Sequence, residues 1–215
     1  MDFLSRLERS GALKGAKLIL AIDGMDGTER LAREFARKRG ISLAVSNSPL
    51  RRGKGGAILD ATALARSDKL VFCDCDPNLE LGKIGEFAKS LDGAGVVIGR
   101  RTFAKNRPLA RRILTKIFNS LVCHILNVRF RDTQCGMKAF RKRDVGRVFR
   151  LFPGKGRGFD FDLVLIRGAL DLGIGVREVL VRERYDGRTR FRIFPDAFSM
   201  LASLLEIGRL SRKGP

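Results

Sequence analysis

Short apolar runs alternate with helical stretches along most of the chain, from Lys17 to Val181. This alternation is typical of a largely parallel sheet flanked by helices, so it predicts an α/β fold. The predicted strands cover residues 17–22, 42–45, 69–73, 95–98 and 176–181. The predicted helices cover residues 2–10, 27–39, 56–65, 81–90, 108–128, 143–149 and 161–172. We expect one main domain over residues 1–190, followed by an amphipathic, basic helix and tail over residues 191–215.

Two helical segments carry wide apolar faces. In the first, apolar residues between Leu109 and Leu126 occupy more than half of the helix circumference and leave a narrow strip of Arg112, Lys116 and Asn119. Such a helix is either a core helix or one that lies in the headgroup region of a membrane. The second helix has one face formed by Phe198, Leu201, Leu204, Leu205 and Gly208. That face either docks on the domain or lies on a membrane.

The charge of the chain is strongly positive. Lys and Arg total 43 against 23 Asp and Glu, which gives a net charge of +20 over 215 residues. A field of this sign attracts polyanions and anionic surfaces, so nucleic acid, acidic lipid and phosphorylated substrates are all candidates. The sequence argues against nucleic acid, because it has one Tyr, no Trp and no recognised RNA- or DNA-binding motif.

The cysteines and the hydropathy pattern bear on location. Cys73, Cys75, Cys123 and Cys135 form no CxxC pair, no secretory leader precedes them, and no apolar run is long enough to span a bilayer. We therefore expect reduced thiols in the cytoplasm, and any contact with a membrane should be peripheral.

An acidic pair follows one predicted strand. Asp74 and Asp76 come directly after the apolar run that ends at Cys73, at the sheet edge where open α/β folds bind ligands. Carboxylate oxygens there suit Mg²⁺ or Mn²⁺ bridging a diphosphate, and the metal would neutralise the leaving group. The alternative is that the two carboxylates only cap the next turn.

Two glycine-containing turns precede helices. Asp23-Gly-Met-Asp-Gly-Thr28 offers carboxylates to a ribose or base, and Arg51-Arg-Gly-Lys-Gly-Gly56 could bring backbone N–H groups and Lys54 to phosphate oxygens. The second turn lacks the Walker pattern, which disfavours ATP hydrolysis. Each turn by itself is also compatible with a plain strand-to-helix connection.

These elements occur in the order and spacing of glycosyltransferase family 2, and the chain resembles its polyprenyl-phosphate branch of dolichyl-phosphate mannose and glucose synthases. The resemblance covers nearly the whole length, and its most specific part begins at Asp132. The matching motifs are the Asp23 turn, the Gly-Lys-Gly loop, Asp74-Cys-Asp76, Gly99-Arg-Arg101, Asp132-Thr-Gln-Cys-Gly-Met-Lys138, Phe159-Asp-Phe-Asp162 and Gly187-Arg-Thr-Arg190. The resemblance implies a GT-A catalytic domain, which is a Rossmann-like, mostly parallel sheet flanked by helices.

The resemblance also implies roles on the donor side. Asp23 would contact the nucleoside, and Lys54 would lie near the diphosphate. Asp74 and Asp76 would hold the nucleotide and a Mg²⁺ or Mn²⁺ ion, and Asn78 stands where relatives often place a Gln that completes the metal shell.

On the acceptor side, the resemblance implies that Arg101 and Arg111 receive a lipid phosphate. The residues implied to line or close this side are Thr133, Gln134, Lys138 and Arg190. The implied reaction transfers a hexose from a nucleotide sugar of the UDP-glucose or GDP-mannose type to polyprenyl or dolichyl phosphate, at the anionic cytoplasmic face of a membrane. Because a phosphate is already an oxyanion, an inverting displacement needs no strong base; Asp132 or Asp162 could serve if the acceptor were a neutral hydroxyl.

The chain departs from the family in two places. The first strand of the family, which ends in a Pro-x-x-Asn-Glu type segment, has no counterpart, and the nucleotide turn is one residue shorter than usual. Three alternatives stay open: a basic nucleic-acid-binding protein, a sugar nucleotidyltransferase that releases pyrophosphate, and a non-catalytic relative associated with membranes.

Overall fold

A computed structural model describes residues 2–102, 108–183 and 193–212, without the side chains of residues 111, 193–199 and 212. The strands are β1 (Leu18–Asp23), β2 (Leu43–Ser48), β3 (Lys69–Cys73), β4 (Val96–Thr102), β5 (Met137–Arg141) and β6 (Val176–Arg182). The α-helices are α1 (Asp2–Arg9), α2 (Thr28–Arg39), α3 (Gly53–Ala63), α4 (Ile84–Ser90), α5 (Leu109–Ile125), α6 (Lys142–Arg150), α7 (Phe161–Asp171) and α8 (Ile193–Arg212). A short 3₁₀ turn, Leu81–Lys83, precedes α4.

The strands form two sheets. In the smaller sheet, β1 and β2 pair in parallel. The larger sheet has the order β3-β5-β4-β6, in which β4 and β6 are parallel and β5 is antiparallel to both of its neighbours. Within the described part of the chain, β1 and β3 each pair along one edge only.

The α/β prediction is confirmed, and all five predicted strands are present. The sequence analysis missed β5, which makes the larger sheet mixed rather than parallel. In this strand, Met137 and Ala139 alternate with Lys138 and Phe140, and all four side chains are buried. Lys138 has no exposed surface, but a charged residue in an apolar run normally indicates a position that faces solvent. The sequence pattern therefore does not predict a buried strand here.

The larger sheet separates two apolar cores. Because side chains alternate across a strand, Val96, Ile98 and Phe140 pack on one face with α7, whereas Val97 and Met137 pack on the other. Both faces are therefore covered, as expected for an α/β fold. The loops at the strand ends between these layers carry the polar residues described below.

The two amphipathic helices both pack on the domain. On α5, Val122 is buried in the core, as is Leu126 just after the helix, while the opposite face of α5 is exposed. On α8, Leu204 and Ile207 are buried, and Gly208 lies so close to Ile125 that a Cβ atom would come within 2.8 Å of the Ile125 side chain. Docking of α8 on the domain is thus what the structure shows. None of the helices in the described ranges combines the length and apolar character required to cross a bilayer.

Candidate active site

The acidic pair lies where β3 ends, next to the beginning of β5. The backbone N–H of Asp74 donates to the carbonyl oxygen of Gly136 at 2.7 Å. A Cβ atom on Gly136 would lie 2.5 Å from Oδ2 of Asp74, so only glycine allows the carboxylate this position. The prediction that a carboxylate pair sits at this edge of the sheet agrees with the structure.

Asp74 is part of a network of ion pairs that extends into the core. The Lys54 Nζ atom lies 3.3 Å from Oδ2 of Asp74 and 3.4 Å from Oδ2 of Asp162. The Lys138 Nζ atom forms an ion pair with Oδ1 of Asp162 at 2.9 Å and donates to the carbonyl oxygen of Cys135 at 2.6 Å. The two lysines balance the two aspartates, so the network carries no net charge.

Burial and charge act on these groups in opposite directions. Burial opposes ionisation of Asp162, but the Lys138 and Lys54 ammonium groups outweigh it and lower the pKa of that carboxyl. At Asp74, burial dominates over the nearby Lys54 and raises the pKa. Desolvation would lower the pKa of Lys54, yet Asp162 and Asp74 raise it. A further cation beside Asp74 would favour its ionised form.

The glycine-rich turn is engaged within the protein, which corrects the expectation that its N–H groups face a phosphate. The Asp23 carboxylate accepts the N–H groups of Arg52 at 2.6 Å and Gly53 at 3.0 Å. Gly55 and Gly56 donate to the carbonyl oxygens of residues 158 and 157, at 3.2 and 2.8 Å. The N–H groups of Arg52, Gly53, Gly55 and Gly56 are therefore already used within the protein. The glycines allow the backbone of this turn to lie close to the backbone of residues 156–158. Asp23 as a nucleoside contact stays a prediction.

Asp160 fixes the conformation of residues 156–158, the segment that lies against this turn. The sequence analysis did not assign a role to Asp160. Its carboxylate accepts the N–H groups of Gly156 at 2.9 Å and Gly158 at 3.0 Å. The carboxylate thereby presents the neighbouring carbonyl oxygens to α3. The signal in the sequence was the spacing of glycines just before an aspartate that precedes an apolar helix.

We expect Gly55→Ala to lower the free energy of unfolding by about 1–3 kcal/mol, the usual cost of overpacking. A Cβ atom on Gly55 would lie 1.9 Å from the carbonyl oxygen of Gly156, and neither backbone segment can move easily. Urea denaturation followed by circular dichroism measures the change. The matched control is Gly146→Ala in α6, where a Cβ atom meets nothing within 4 Å and alanine should stabilise the helix. Equal stability of the Gly55 variant and the parent would contradict the close approach.

Arg101 lies near the carboxyl end of β4, and its guanidinium is already bound to carboxylates. Its Nε and Nη2 atoms donate to Oδ2 and Oδ1 of Asp132 at 2.6 and 3.0 Å, and Nη1 lies 3.7 Å from Oε1 of Glu183. Arg101 as a residue that receives the lipid phosphate stays a prediction, and its guanidinium is already held by two carboxylates. Burial opposes ionisation of Asp132, but Arg101 prevails and lowers the pKa of this carboxyl. A bidentate arginine–carboxylate pair such as Arg101–Asp132 fixes the orientation of the guanidinium.

Two residues expected on the acceptor side are structural. Thr133 has no exposed surface, and its N–H and hydroxyl groups both donate to Oδ1 of Asn119 on α5, at 3.0 and 3.1 Å. Lys138 is also fully buried in the ion network. In this arrangement neither side chain reaches an acceptor. Asn119, which belongs to the polar strip of α5, anchors this helix to the Asp132 loop.

The other acceptor-side residues are only partly described. Gln134 is half-buried, and its Nε2 atom is buried without a hydrogen-bond partner. Arg111 lies in α5, with its side chain outside the described part of the structure. Arg190 lies outside the described residues. Their assignment to the acceptor side stays a prediction.

Asp76 and Arg101 line one narrow cleft, with a volume of about 10 Å³, at the carboxyl ends of β3, β4 and β6. Its other walls include Asn78, Gly136 and Arg182. Oδ1 of Asp76 accepts the N–H of Asn78 at 2.8 Å, which fixes the carboxylate within the turn. The sequence does not single out Arg182 and Glu183, although Arg182 ends β6 and Glu183 directly follows it, a position where ligand-binding side chains are common.

A second, wider groove runs along α2 beside the Asp23 turn. It has a volume of about 610 Å³ and is lined by the turn residues from Gly24 to Gly27, by α2 and by Asn47. Oδ1 of Asn47 is buried without a hydrogen-bond partner. None of Lys54, Asp74 and Asp162 lines this groove. These three residues do not line the cleft around Asp76 and Arg101 either, but the backbone N–H of Asp74 bonds to Gly136, which does.

Solved structures with the same fold place the chain in a structural class. A mycobacterial protein superposes with a TM-score of 0.67 at 19% identity, covering 94% of this chain and 70% of that one. Glucosyl-3-phosphoglycerate synthase from Mycobacterium tuberculosis, in complex with Mn²⁺, UDP and glucosyl-3-phosphoglycerate, superposes with a TM-score of 0.63 at 18% identity, covering 94% and 75%. The strand order and these superpositions define a GT-A type fold.

The family follows from the sequence comparison. The family model described as "Glycosyl transferase family 2" matches residues 6–149. The chain belongs to glycosyl transferase family 2, as its motifs had indicated.

Curated relatives carry a more specific name. The dolichyl-phosphate beta-glucosyltransferase of Drosophila melanogaster is 29% identical over 180 residues, which cover 77% of this chain and 55% of the relative. The human protein of the same name is 25% identical over 180 residues, which cover 77% and 56%. The chain thus spans about half the length of the curated relatives that it matches.

Proposed function

We propose that the chain transfers a glucosyl group from a nucleotide sugar to the phosphate of dolichol or a related polyprenol, with inversion, at a membrane surface. Membership of family 2 and the names of its relatives support the reaction class and the lipid acceptor. The observation that carries the proposal is that Asp76 and Arg101 line the same cleft. A carboxylate suited to a metal-bound diphosphate and a guanidinium suited to a phosphate thus border the same narrow cleft.

The residues of the cleft fit a divalent cation, Mg²⁺ or Mn²⁺, that arrives with its substrate. In the described ranges, no three His, Cys, Asp or Glu residues cluster as metal ligands. A cation of this type needs only one or two carboxylates when substrate phosphates complete its shell. Asp76 would supply such a carboxylate, with Asn78 beside it and Asp74 on the nucleotide side. When bound, the ion would neutralise charge on the departing nucleoside diphosphate.

The carboxylates that could act as bases favour a phosphate acceptor over a neutral hydroxyl. Asp132 and Asp162 are both buried, both are paired with cationic side chains, and both have lowered pKa values. A lower pKa makes a carboxylate a weaker base. An acceptor that is already an oxyanion needs only positioning and charge neutralisation.

The cationic side of the cleft would position that oxyanion. Asp132 and Glu183 hold the Arg101 guanidinium in place, and the exposed Arg182 lies on the same wall. We assign the acceptor phosphate to Arg101 together with Arg182. Arg111, Gln134 and Arg190 are assigned to the same side on the strength of their motifs, and Asp23 and Lys54 to the donor side.

A direct assay tests the proposal. The protein is incubated with Mg²⁺ or Mn²⁺, a short-chain polyprenyl phosphate and a panel of nucleotide sugars, and mass spectrometry is used to detect the glycolipid. We expect a monoglycosylated polyprenyl phosphate and release of the nucleoside diphosphate. The matched control acceptor is the unphosphorylated polyprenol, which should give no product. Transfer to the alcohol would contradict the phosphate assignment, and release of pyrophosphate would identify a nucleotidyltransferase instead.

A further inference from the structure

The outer face of α5 is an apolar surface. Leu109, Ile113, Ile117 and Leu121 recur at every fourth position, and Leu114 lies beside them, so that all five fall on one side of the helix. Their exposed fractions range from 41% to 68%. Single exposed leucines are ordinary, but a continuous row along one helix indicates a binding surface. We call these five residues the α5 stripe.

The inner face of the same helix fixes the direction of the stripe. Val122 and Leu126 are buried in the core, and Asn119 ties the helix to the Asp132 loop. The Nδ2 atom of Asn119 also donates to the carbonyl oxygen of Phe130 at 3.0 Å. The stripe therefore cannot turn inward without breaking these contacts, and its exposure is a property of the fold.

The neighbouring helix α8 extends the apolar surface. Gly208 on α8 packs directly against Ile125 on α5, so the two helices touch. Near this contact, α8 exposes Leu201 and Leu205.

The charge around the stripe indicates the chemistry of its partner. Lys116 is exposed on α5 between the stripe residues, and the sequence contains no acidic residue between Asp92 and Asp132. On α8, Glu206 is paired with Lys155. A helix with an apolar face flanked by basic residues is typical of a segment that lies in the interface of an anionic membrane.

We propose that the α5 stripe, with Leu201 and Leu205 of α8, docks the protein on a membrane that contains anionic phospholipids. This inference rests on the proposed function, because a lipid-linked acceptor places the reaction at a membrane. The stripe residues enter the headgroup boundary, while Lys116 contacts lipid phosphates. The docking surface is separate from the cleft, since none of its residues lines the cleft around Asp76 and Arg101.

Vesicle binding tests the surface without donor or acceptor. The parent protein and the Ile113→Gln/Ile117→Gln variant are sedimented with phosphatidylcholine vesicles, with and without phosphatidylserine. We expect the parent to bind the anionic vesicles and the variant to bind them about tenfold more weakly, because two half-exposed isoleucines lose their apolar contacts. The matched control, Leu31→Gln/Leu64→Gln, removes leucines of similar exposure on α2 and at the end of α3 and should bind like the parent.

A second variant and a second readout separate the possible outcomes. Lys116→Glu should weaken binding to phosphatidylserine vesicles without removing apolar area. The Ile113→Gln/Ile117→Gln and Lys116→Glu variants should both still glycosylate a short-chain acceptor in the absence of vesicles, which distinguishes loss of docking from loss of the reaction. Unchanged vesicle binding by both variants would overturn the proposal that this surface docks on a membrane. A parent that binds no vesicles but dimerises through the stripe would also overturn it. Failure of transfer in all proteins, with stripe-dependent binding intact, would instead contradict the proposed function.

Discussion

Asp76→Asn should lower the rate of glycosyl transfer by about a hundredfold or more, the scale on which active-site electrostatic groups act. Asparagine keeps an oxygen that can accept the Asn78 N–H, so the turn should keep its shape. It removes the negative charge that would hold the divalent cation against the nucleoside diphosphate. The loss should therefore appear in the transfer step and not in the stability of the protein. Mass spectrometry of the glycolipid, together with urea denaturation, measures both.

The matched control for this variant is Asp92→Asn. Asp92 is an exposed carboxylate, and it pairs with Lys69 at the beginning of β3. Its replacement should leave the transfer rate unchanged. Normal activity of the Asp76 variant would contradict the assignment of Asp76 as a metal ligand. Equal losses of activity in both variants would indicate an effect of the protein's overall charge instead of a specific site.

Asp162→Asn should lower the free energy of unfolding by about 3–5 kcal/mol, the cost of breaking a buried ion pair from one side. The substitution preserves shape but leaves Lys138, which has no exposed surface, with the Cys135 carbonyl oxygen as its remaining short contact. Lys54 loses one of its two carboxylates as well. Urea denaturation measures the change. Asp92→Asn, in an exposed pair, should change stability by less than about 1 kcal/mol.

A compensating variant checks the cause of that loss. In Asp162→Leu/Lys138→Met, both buried charges of the closest pair are replaced by apolar groups, so the double variant should be more stable than Asp162→Asn alone. A double variant that is less stable would show that the hydrogen-bonding geometry, and not the unpaired charge, dominates. An Asp162→Asn protein as stable as the parent would contradict the ion network itself.

The sequence predicted elements that depend on local pattern. The strands β1, β3 and β6 are short apolar runs, and α5 is an apolar helix, so periodicity alone locates them. The acidic pair was placed at the end of β3 because the chain leaves a strand there. The strand β5 escaped prediction because its buried Lys138 is neutralised by Asp162, which is distant in the sequence.

The sequence predicted the motifs of the candidate site but not which of their side chains form ion pairs with one another. Arg101 and Asp132 were each recognised, yet their ion pair joins the end of β4 to a loop after α5, and no local pattern reveals it. The sequence allows the glycines at positions 55 and 56 to serve either a phosphate loop or a plain connection, and in the structure they accommodate the backbone at residues 156–158. Glycine signals a close approach without saying whether the approaching group is a ligand or another segment of the chain.

The central claim is that a divalent cation beside Asp76 shares a cleft with Arg101. Crystals of the protein with Mn²⁺ and UDP, measured by anomalous diffraction, test it most directly. We predict a Mn²⁺ peak in coordination contact with an oxygen of the Asp76 carboxylate, with the diphosphate between the ion and the wall formed by Arg101 and Arg182. A Mn²⁺ ion and nucleotide bound in the groove along α2, away from Asp76, would contradict the account.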